Sequence, residues 1–413
     1  MIDIARHTLS NGLRIVHSRN CSTGMAVVNV LYKVGSRDES PEYTGLAHLC
    51  EHLMFGGTQI VPKFDSTILE AGGENNAWTN NDLTNYYDVL PFENIETALW
   101  AEADRMQNLI LSDKSVEVQR SVVKEEFKQR CLNAPYGDVG YILRDMVYKT
   151  HPYRWPVIGK SLSHIETVPT GKIRDFYNLF YSPDNAILSV VGNVDSEEVF
   201  SLADKWFSGI PSRNSIKREI SQEPMQEAGR FKEVARNVPC DMLIKAYRMC
   251  GRMDANYPVC DLLSDLLSNG RSSRLFQHIF ARGGLVSSID ASITGDVDSG
   301  MLIIKAQLLP GVSFERVEAA IQTELDNIVN GKVTQYELDK VVNKFESNAL
   351  FGYLNNEELA SNLAYFEMLG DADLINREVA KYRETTLHRI SDVAKDIFSE
   401  NNCSTLYYKS ENE

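Results

Sequence analysis

Two α+β halves joined by a polar linker are what the 413-residue sequence predicts, on three observations. Each half opens on strand-like, β-branched runs. Each closes on a helix, a break and a strand: FYNLFYSPDNAILSVVGNV over Phe176–Val194, and VAKDIFSENNCSTLYYKS over Val393–Ser410. Between them, residues 208–230 are polar, turn-rich and poor in apolar pattern. The expected organisation is therefore 1–208, a linker at 209–229, and 230–413, with the two halves a weak sequence repeat.

In chain order, residues 3–20 read as a hairpin around Asn11-Gly12, the dipeptide that most readily turns tightly. Met25–Val34 (MAVVNVLYKV) is apolar and β-branched, as a buried central strand requires. A short helix is expected to end at Gly72-Gly73, with strands at Asn76–Thr79 and Thr84–Leu90. Trp78, Tyr86 and Tyr87 are expected in the core. Phe92–Leu111 and Lys114–Cys131 have helical periodicity, Ala186–Val191 is a buried strand, and the second half begins its sheet at Asp241–Tyr247.

The chemistry concentrates in Gly45–Thr58, GLAHLCEHLMFGGT. On a helix, His48 and His52 stand one turn apart on one face, the spacing that lets two imidazoles grip one divalent metal. Glu51 lies beside that face, within reach of a metal-bound water. Leu46, Leu49 and Leu53 supply a face to bury, and Gly56-Gly57 a stop. The order H-x-x-E-H is that of the inverted zincins. A catalytic zinc takes three protein ligands and leaves a fourth position for water, so another element must supply a ligand. Gln119–Phe127 offers Glu125 and Glu126 on a helix whose apolar face includes Val122, Val123 and Phe127. Cys50, two residues after His48, is expected in the core. The histidines outside the motif, among them His17 and His151, show no ligand spacing and are expected at surface or loop positions.

Composition narrows the classes. At 43% hydrophobic and 24% charged, the chain is that of an ordinary globular protein. Its net charge, 42 − 57 = −15, disfavours nucleic acid as a partner. Seven scattered cysteines, never C-x-x-C, argue for a reducing compartment, and the first residues carry no apolar signal core; a cytoplasmic protein with no membrane partner is expected.

Beyond the motif, the chain resembles the pitrilysin and mitochondrial processing peptidase family of zinc endopeptidases. The matching stretches are HLCEHLMFGGT, GGENNAWT with TNYY, VVKEE, HPYRWPVIG (His151–Gly159) and YSPDNAILSVVGNV (Tyr181–Val194), with SSRLF and GGLVSS more loosely. The resemblance implies two homologous halves, each a mostly antiparallel sheet covered by helices, the second without a metal site. It implies an endopeptidase acting on peptides or unfolded segments in a closed chamber, with one zinc ion per chain. His48, His52 and Glu126 would be the ligands and Glu51 the general base. The strand carrying Asn76, Ala77 and Thr79 would offer its edge to an extended peptide.

Two departures stand out. Gln119 occupies a position where many relatives have Glu. An Arg/Tyr pair that binds the substrate carbonyl would fall on Phe280 and Ser287, and Arg282 has Ile289, not Tyr, seven residues on. A homologous partner subunit supplying that pair is therefore expected, with a homodimer as the other arrangement. The competing functions are a non-catalytic core or assembly subunit of the same family, and a two-His-one-carboxylate iron oxygenase.

Overall fold

The computed structural model describes residues 1–213 and 219–411; residues 214–218 of the expected linker lie outside the described residues. The chain forms two compact units, each α+β, a sheet covered by helices. The first comprises Met1–Arg130, Trp155–Ser221 and Leu350–Arg377; the second comprises Cys131–Arg154, Gln222–Ala349 and Glu378–Glu413. The division is thus not a single cut at 209–229. Residues 131–154 group with the second unit and 350–377 with the first, because each segment buries apolar side chains on that unit's sheet.

The first sheet is built from β1 (Ala5–Thr8), β2 (Arg14–Arg19), β3 (Met25–Tyr32), β4 (Glu74–Thr79), β5 (Thr84–Pro91) and β6 (Ala186–Gly192). Its order is β1-β2-β6-β3-β5-β4, with β2 and β6 parallel and every other pair antiparallel. β3 is central and buried on both faces, as its unbroken apolar run requires. The opening hairpin pairs Thr8 with Arg14, so residues 9–13 form a loop longer than a two-residue turn, with Gly12 at φ +91°.

The second sheet holds β7 (Arg230–Arg236), β8 (Met242–Arg248), β9 (Val286–Ile293), β10 (Met301–Leu308) and β11 (Cys403–Ser410). The order β7-β11-β8-β10-β9 repeats that of β2-β6-β3-β5-β4, including the one parallel pair. Five strands thread in the same sequence in both halves, which makes the duplication visible where residue identities do not. β7 precedes the strand expected to open this half. RFKEVAR is an edge strand, largely exposed, and its charges mask the alternation.

The two faces of the first sheet are covered differently. On one lie α1 (Leu46–Met54), α2 (Phe64–Glu70) and α3 (Ile95–Asn108), in a core with Val28, Val30, Tyr86 and Leu90. On the other lies the helix Asn356–Met368, whose Leu359, Ala360, Leu363 and Ala364 pack on Val16, Val27, Leu31, Ile187 and Val191.

His17, expected at the surface or in a loop, is buried in a strand; His151 lies in a bend, as expected of a loop residue, and is buried there. His17 sits in β2 with Nδ1 3.0 Å from Ser196 Oγ, and burial pulls its pKa down to about 4. The unfolded chain therefore binds a proton at this residue between pH 6.5 and 4 and the folded chain does not, so stability falls as pH drops through that window. Relative to His17→Gln, the native protein is expected to lose up to about 3 kcal/mol more stability between those pH values. Urea midpoints of the two proteins at pH 7 and pH 4.5 measure the difference.

Candidate metal centre

α1 begins at Gly45, which takes φ +91°, a left-handed conformation open to glycine. A Cβ there would also meet Ile165 Cδ1 at 2.5 Å, and one on Gly159 (φ +100°) would meet Thr44 O at 2.9 Å. The HPYRWPVIG stretch thus ends in a glycine pressed against the start of the motif helix. Glu39 completes this end of the helix. Its two carboxyl oxygens accept the N–H groups of Gly45 (2.8 Å) and Ala47 (2.9 Å), donors that a helix start otherwise leaves unpaired. Burial pushes the Glu39 pKa up to about 8, opposed by those same hydrogen bonds.

Removing both acceptors strands two buried donors. Glu39→Ala is therefore expected to cost about 2–4 kcal/mol of stability, read as a lower urea midpoint. Glu39→Gln keeps one acceptor oxygen and should fall between the two proteins. An unchanged midpoint in the alanine variant would mean that water replaces the carboxyl without cost.

Leu46, Leu49, Cys50 and Leu53 of α1 are buried, Cys50 in the core as expected, and the helix turns His48, Glu51 and His52 the other way. The imidazole rings stand edge to face, with centroids 4.8 Å apart. α4 (Asp113–Phe127) faces them. Ser112 caps it through the Ser115 N–H, and Val116, Val123 and Phe127 bury its apolar face. Val122, expected on that face, is 48% exposed, because it lies one position off the buried stripe. Glu126 follows Val123 and projects towards the imidazoles. Its Oε2 lies 3.6 Å from His48 Nε2 and 3.4 Å from His52 Nε2.

Those separations decide what the cluster suits. Bonds of ~2.0–2.2 Å to a tetrahedral zinc place neighbouring donors roughly 3.3–3.6 Å apart. The three donors are spaced like vertices around one ion, and too widely for strong hydrogen bonds. They form the only such group of three among the described residues. Burial lowers the His48 pKa to about 4, leaving a neutral imidazole, the ligating form, at neutral pH. His52 beside Glu126 holds its carboxyl below the usual carboxylate range. The second Glu126 oxygen pairs with Arg130 at 2.9 Å.

Glu51 stands beside the cluster and accepts a hydrogen bond from the Thr79 hydroxyl of β4. Burial raises its pKa, opposed first by that bond. A carboxyl of raised affinity next to a metal position can take a proton from water and give it up again.

β4 is an edge strand, and its alternation sorts the other expected contacts. Ala77 packs on the α1 side, and Thr79 reaches Glu51 there. Asn76 points to the opposite face, beside Tyr87, and its Oδ1 takes the Ala77 N–H at 2.8 Å. Trp78 is 39% exposed, not in the core, since the strand has no outer neighbour to cover it; Tyr86 is buried and Tyr87 half-buried. Glu125 is exposed and pairs with Lys128 at 2.6 Å. Gln119 is half-buried on α4.

In the second unit, Phe280 stacks on Phe276, and the Ser287 hydroxyl donates to Gln307 O at 3.4 Å; Arg282 is exposed. Sequence reasoning missed Glu39, the Thr79–Glu51 bond and Arg130. Glu39 had one local signal, a carboxylate just ahead of a helix start. The other two needed the folded geometry.

Comparisons with known proteins find relatives along nearly the whole chain. Residues 14–139 match the family model described as Insulinase (Peptidase family M16), and residues 168–345 match the model described as Peptidase M16 inactive domain. The zinc protease PqqE of Helicobacter pylori (strain ATCC 700392 / 26695) is 29% identical over 408 residues, covering 97% of this chain and 92% of that one. The uncharacterised zinc protease YmxG of Bacillus subtilis (strain 168) is 26% identical over 422 residues, covering 99% of each. The crystal structure of a protease from Helicobacter pylori superposes with a TM-score of 0.93 at 28% identity, covering 99% of this chain and 100% of that one. A putative M16-like peptidase from Alicyclobacillus acidocaldarius shares the fold, with a TM-score of 0.86 at 19% identity and 99% of each chain covered.

Proposed function

The chain belongs to the pitrilysin/M16 family of zinc metallopeptidases, and from that premise we propose that it is a zinc endopeptidase cleaving peptides or unfolded segments. The spacing of His48 Nε2, His52 Nε2 and Glu126 Oε2 carries this proposal. These residues would hold one zinc ion, which when bound would supply Lewis acidity to a carbonyl and to a water molecule.

Glu51 accepts the proton of the attacking water on a carboxylate oxygen and returns it to the departing amine nitrogen. Thr79 holds that carboxyl in place through its hydroxyl. The free edge of β4 offers main-chain groups to an extended peptide, which would bind as a further strand with little demand on sequence. For that strand to pair, the Ala77 N–H must exchange the Asn76 side chain for the peptide.

The two positions at which the family resemblance puts a carbonyl-binding Arg/Tyr pair hold Phe280 and Ser287, neither of which carries a charge. This supports a homologous partner subunit contributing an Arg/Tyr pair, the two chains enclosing the substrate in a chamber; a homodimer is the other arrangement. Free cysteines throughout support a cytoplasmic setting. Among the described residues no helix is long and apolar enough to cross a membrane.

A non-catalytic role as a core subunit is favoured by one observation, the match of residues 168–345 to a model described as an inactive domain. The donor cluster lies outside that stretch. Metal analysis together with cleavage of a fluorescence-quenched peptide separates the readings. About one zinc per chain, cleavage lost on chelation, and a rise in rate with a homologous partner are expected. Full activity of the isolated monomer would reject the partner, and zinc without cleavage in any assembly would favour the core-subunit role.

A further inference from the structure

The second unit carries a pair of thiols for which the peptidase reading has no use. Cys250 follows the end of β8, and Cys260 lies in the helix Tyr257–Ser268. That helix stands between β8 and β9, as α1 stands between β3 and β4 in the first unit. Their sulfurs are 3.6 Å apart, in direct contact. Both line a cavity of about 530 Å³ together with Arg248, Gln226 and Asn256. Cys260 is buried and Cys250 partly exposed.

The cavity is polar where it matters. Arg248 Nε and Gln226 Oε1 are buried and, among the described residues, meet no hydrogen-bond partner. One donor and one acceptor are thus unsatisfied on residues that line the cavity with the sulfurs.

We propose that Cys250 and Cys260 form a peroxide-reactive dithiol, Cys250 the attacking sulfur and Cys260 the resolving one. The two thiols share a hydrogen bond that lowers the pKa of Cys250 and raises that of Cys260, and Cys250 is the more exposed of the two, so Cys250 is the sulfur that carries the charge. The Cys250 thiolate attacks one oxygen of hydrogen peroxide. The O–O bond breaks, one water leaves after protonation, and Cys250 becomes a sulfenic acid. The Cys260 sulfur then attacks Cys250, losing its proton as hydroxide departs and forms the second water. Two thiols lose two electrons, and the peroxide takes them up. The new bond would tie β8 to its following helix across the turn 251–256.

The test uses the full chain and hydrogen peroxide. All seven cysteines are free, so the reduced, denatured protein should titrate seven thiols and the peroxide-treated protein five. Peptide mapping without reductant should join the Cys250 and Cys260 peptides, and dithiothreitol should restore seven thiols. In Cys260→Ser, peroxide should stop at a dimedone-trappable sulfenic acid on Cys250, and in Cys250→Ser no such adduct should form. Seven thiols remaining after treatment, a bridge between any other cysteines, or direct passage of Cys250 to the sulfinic acid would overturn the proposal. Mapping of the native protein decides it even if a variant fails to fold.

Discussion

Glu51→Gln is expected to lower peptide hydrolysis by about 10³-fold or more while leaving the zinc content unchanged, because a positioned proton carrier contributes on the order of 10²–10⁴. The amide keeps the shape of the carboxyl and can still accept from the Thr79 hydroxyl, so the surroundings of α1 are preserved. It cannot accept a proton from water. Unlike the metal donors, Glu51 does not share the cluster of nitrogens and oxygen, which is why its loss should separate metal binding from turnover. Paired measurements of bound zinc and of kcat/KM test this. Parallel loss of both would make Glu51 a structural residue, and retained hydrolysis would remove it from the chemistry.

Glu126→Ala should instead lose zinc and activity together. The carboxylate is the anionic member of the three donors, and without it two neutral imidazoles face the ion alone. A loss in zinc affinity above about 100-fold is expected, beyond the effect of altering a partner that only orients a ligand. The adjacent Glu125→Ala is the internal control. Its carboxyl is exposed and paired with Lys128, so zinc and rate should both stay near the unaltered values. A competition assay with a chromophoric chelator gives both affinities. Equal loss in the two variants would show that helix damage, not a missing donor, is responsible.

The parts of this molecule legible in its sequence are those written in local pattern. β3 and β6 announced themselves as apolar runs because both faces of a central strand are covered. The spacing of His48 and His52 follows from helix geometry alone. Glu126 could be narrowed to two neighbouring carboxylates by periodicity, and only the family pattern separated them; the structure brings Glu126, not Glu125, to the imidazoles.

What stayed hidden depends on long-range contacts. RFKEVAR concealed an edge strand because exposure removes the apolar alternation that marks a strand. Trp78 looked like core until the strand carrying it proved to be an edge. Nothing near His17 in sequence forecasts burial against Ser196. Glu39 had only its place ahead of the motif helix to mark it, and the carboxyl's hold on the Gly45 and Ala47 N–H groups is seen in the fold.

The helix Asn356–Met368 has a consequence for how the protein is made. Emerging from the ribosome, the first 221 residues contain all the strands of their sheet but not the helix that covers its second face. Another 377 − 221 = 156 residues must be synthesised before that segment is complete. At bacterial or eukaryotic translation speeds this leaves Val16, Val27, Leu31, Ile187 and Val191 wet for roughly 8–30 s, a window in which a nascent chain aggregates or is held by a chaperone.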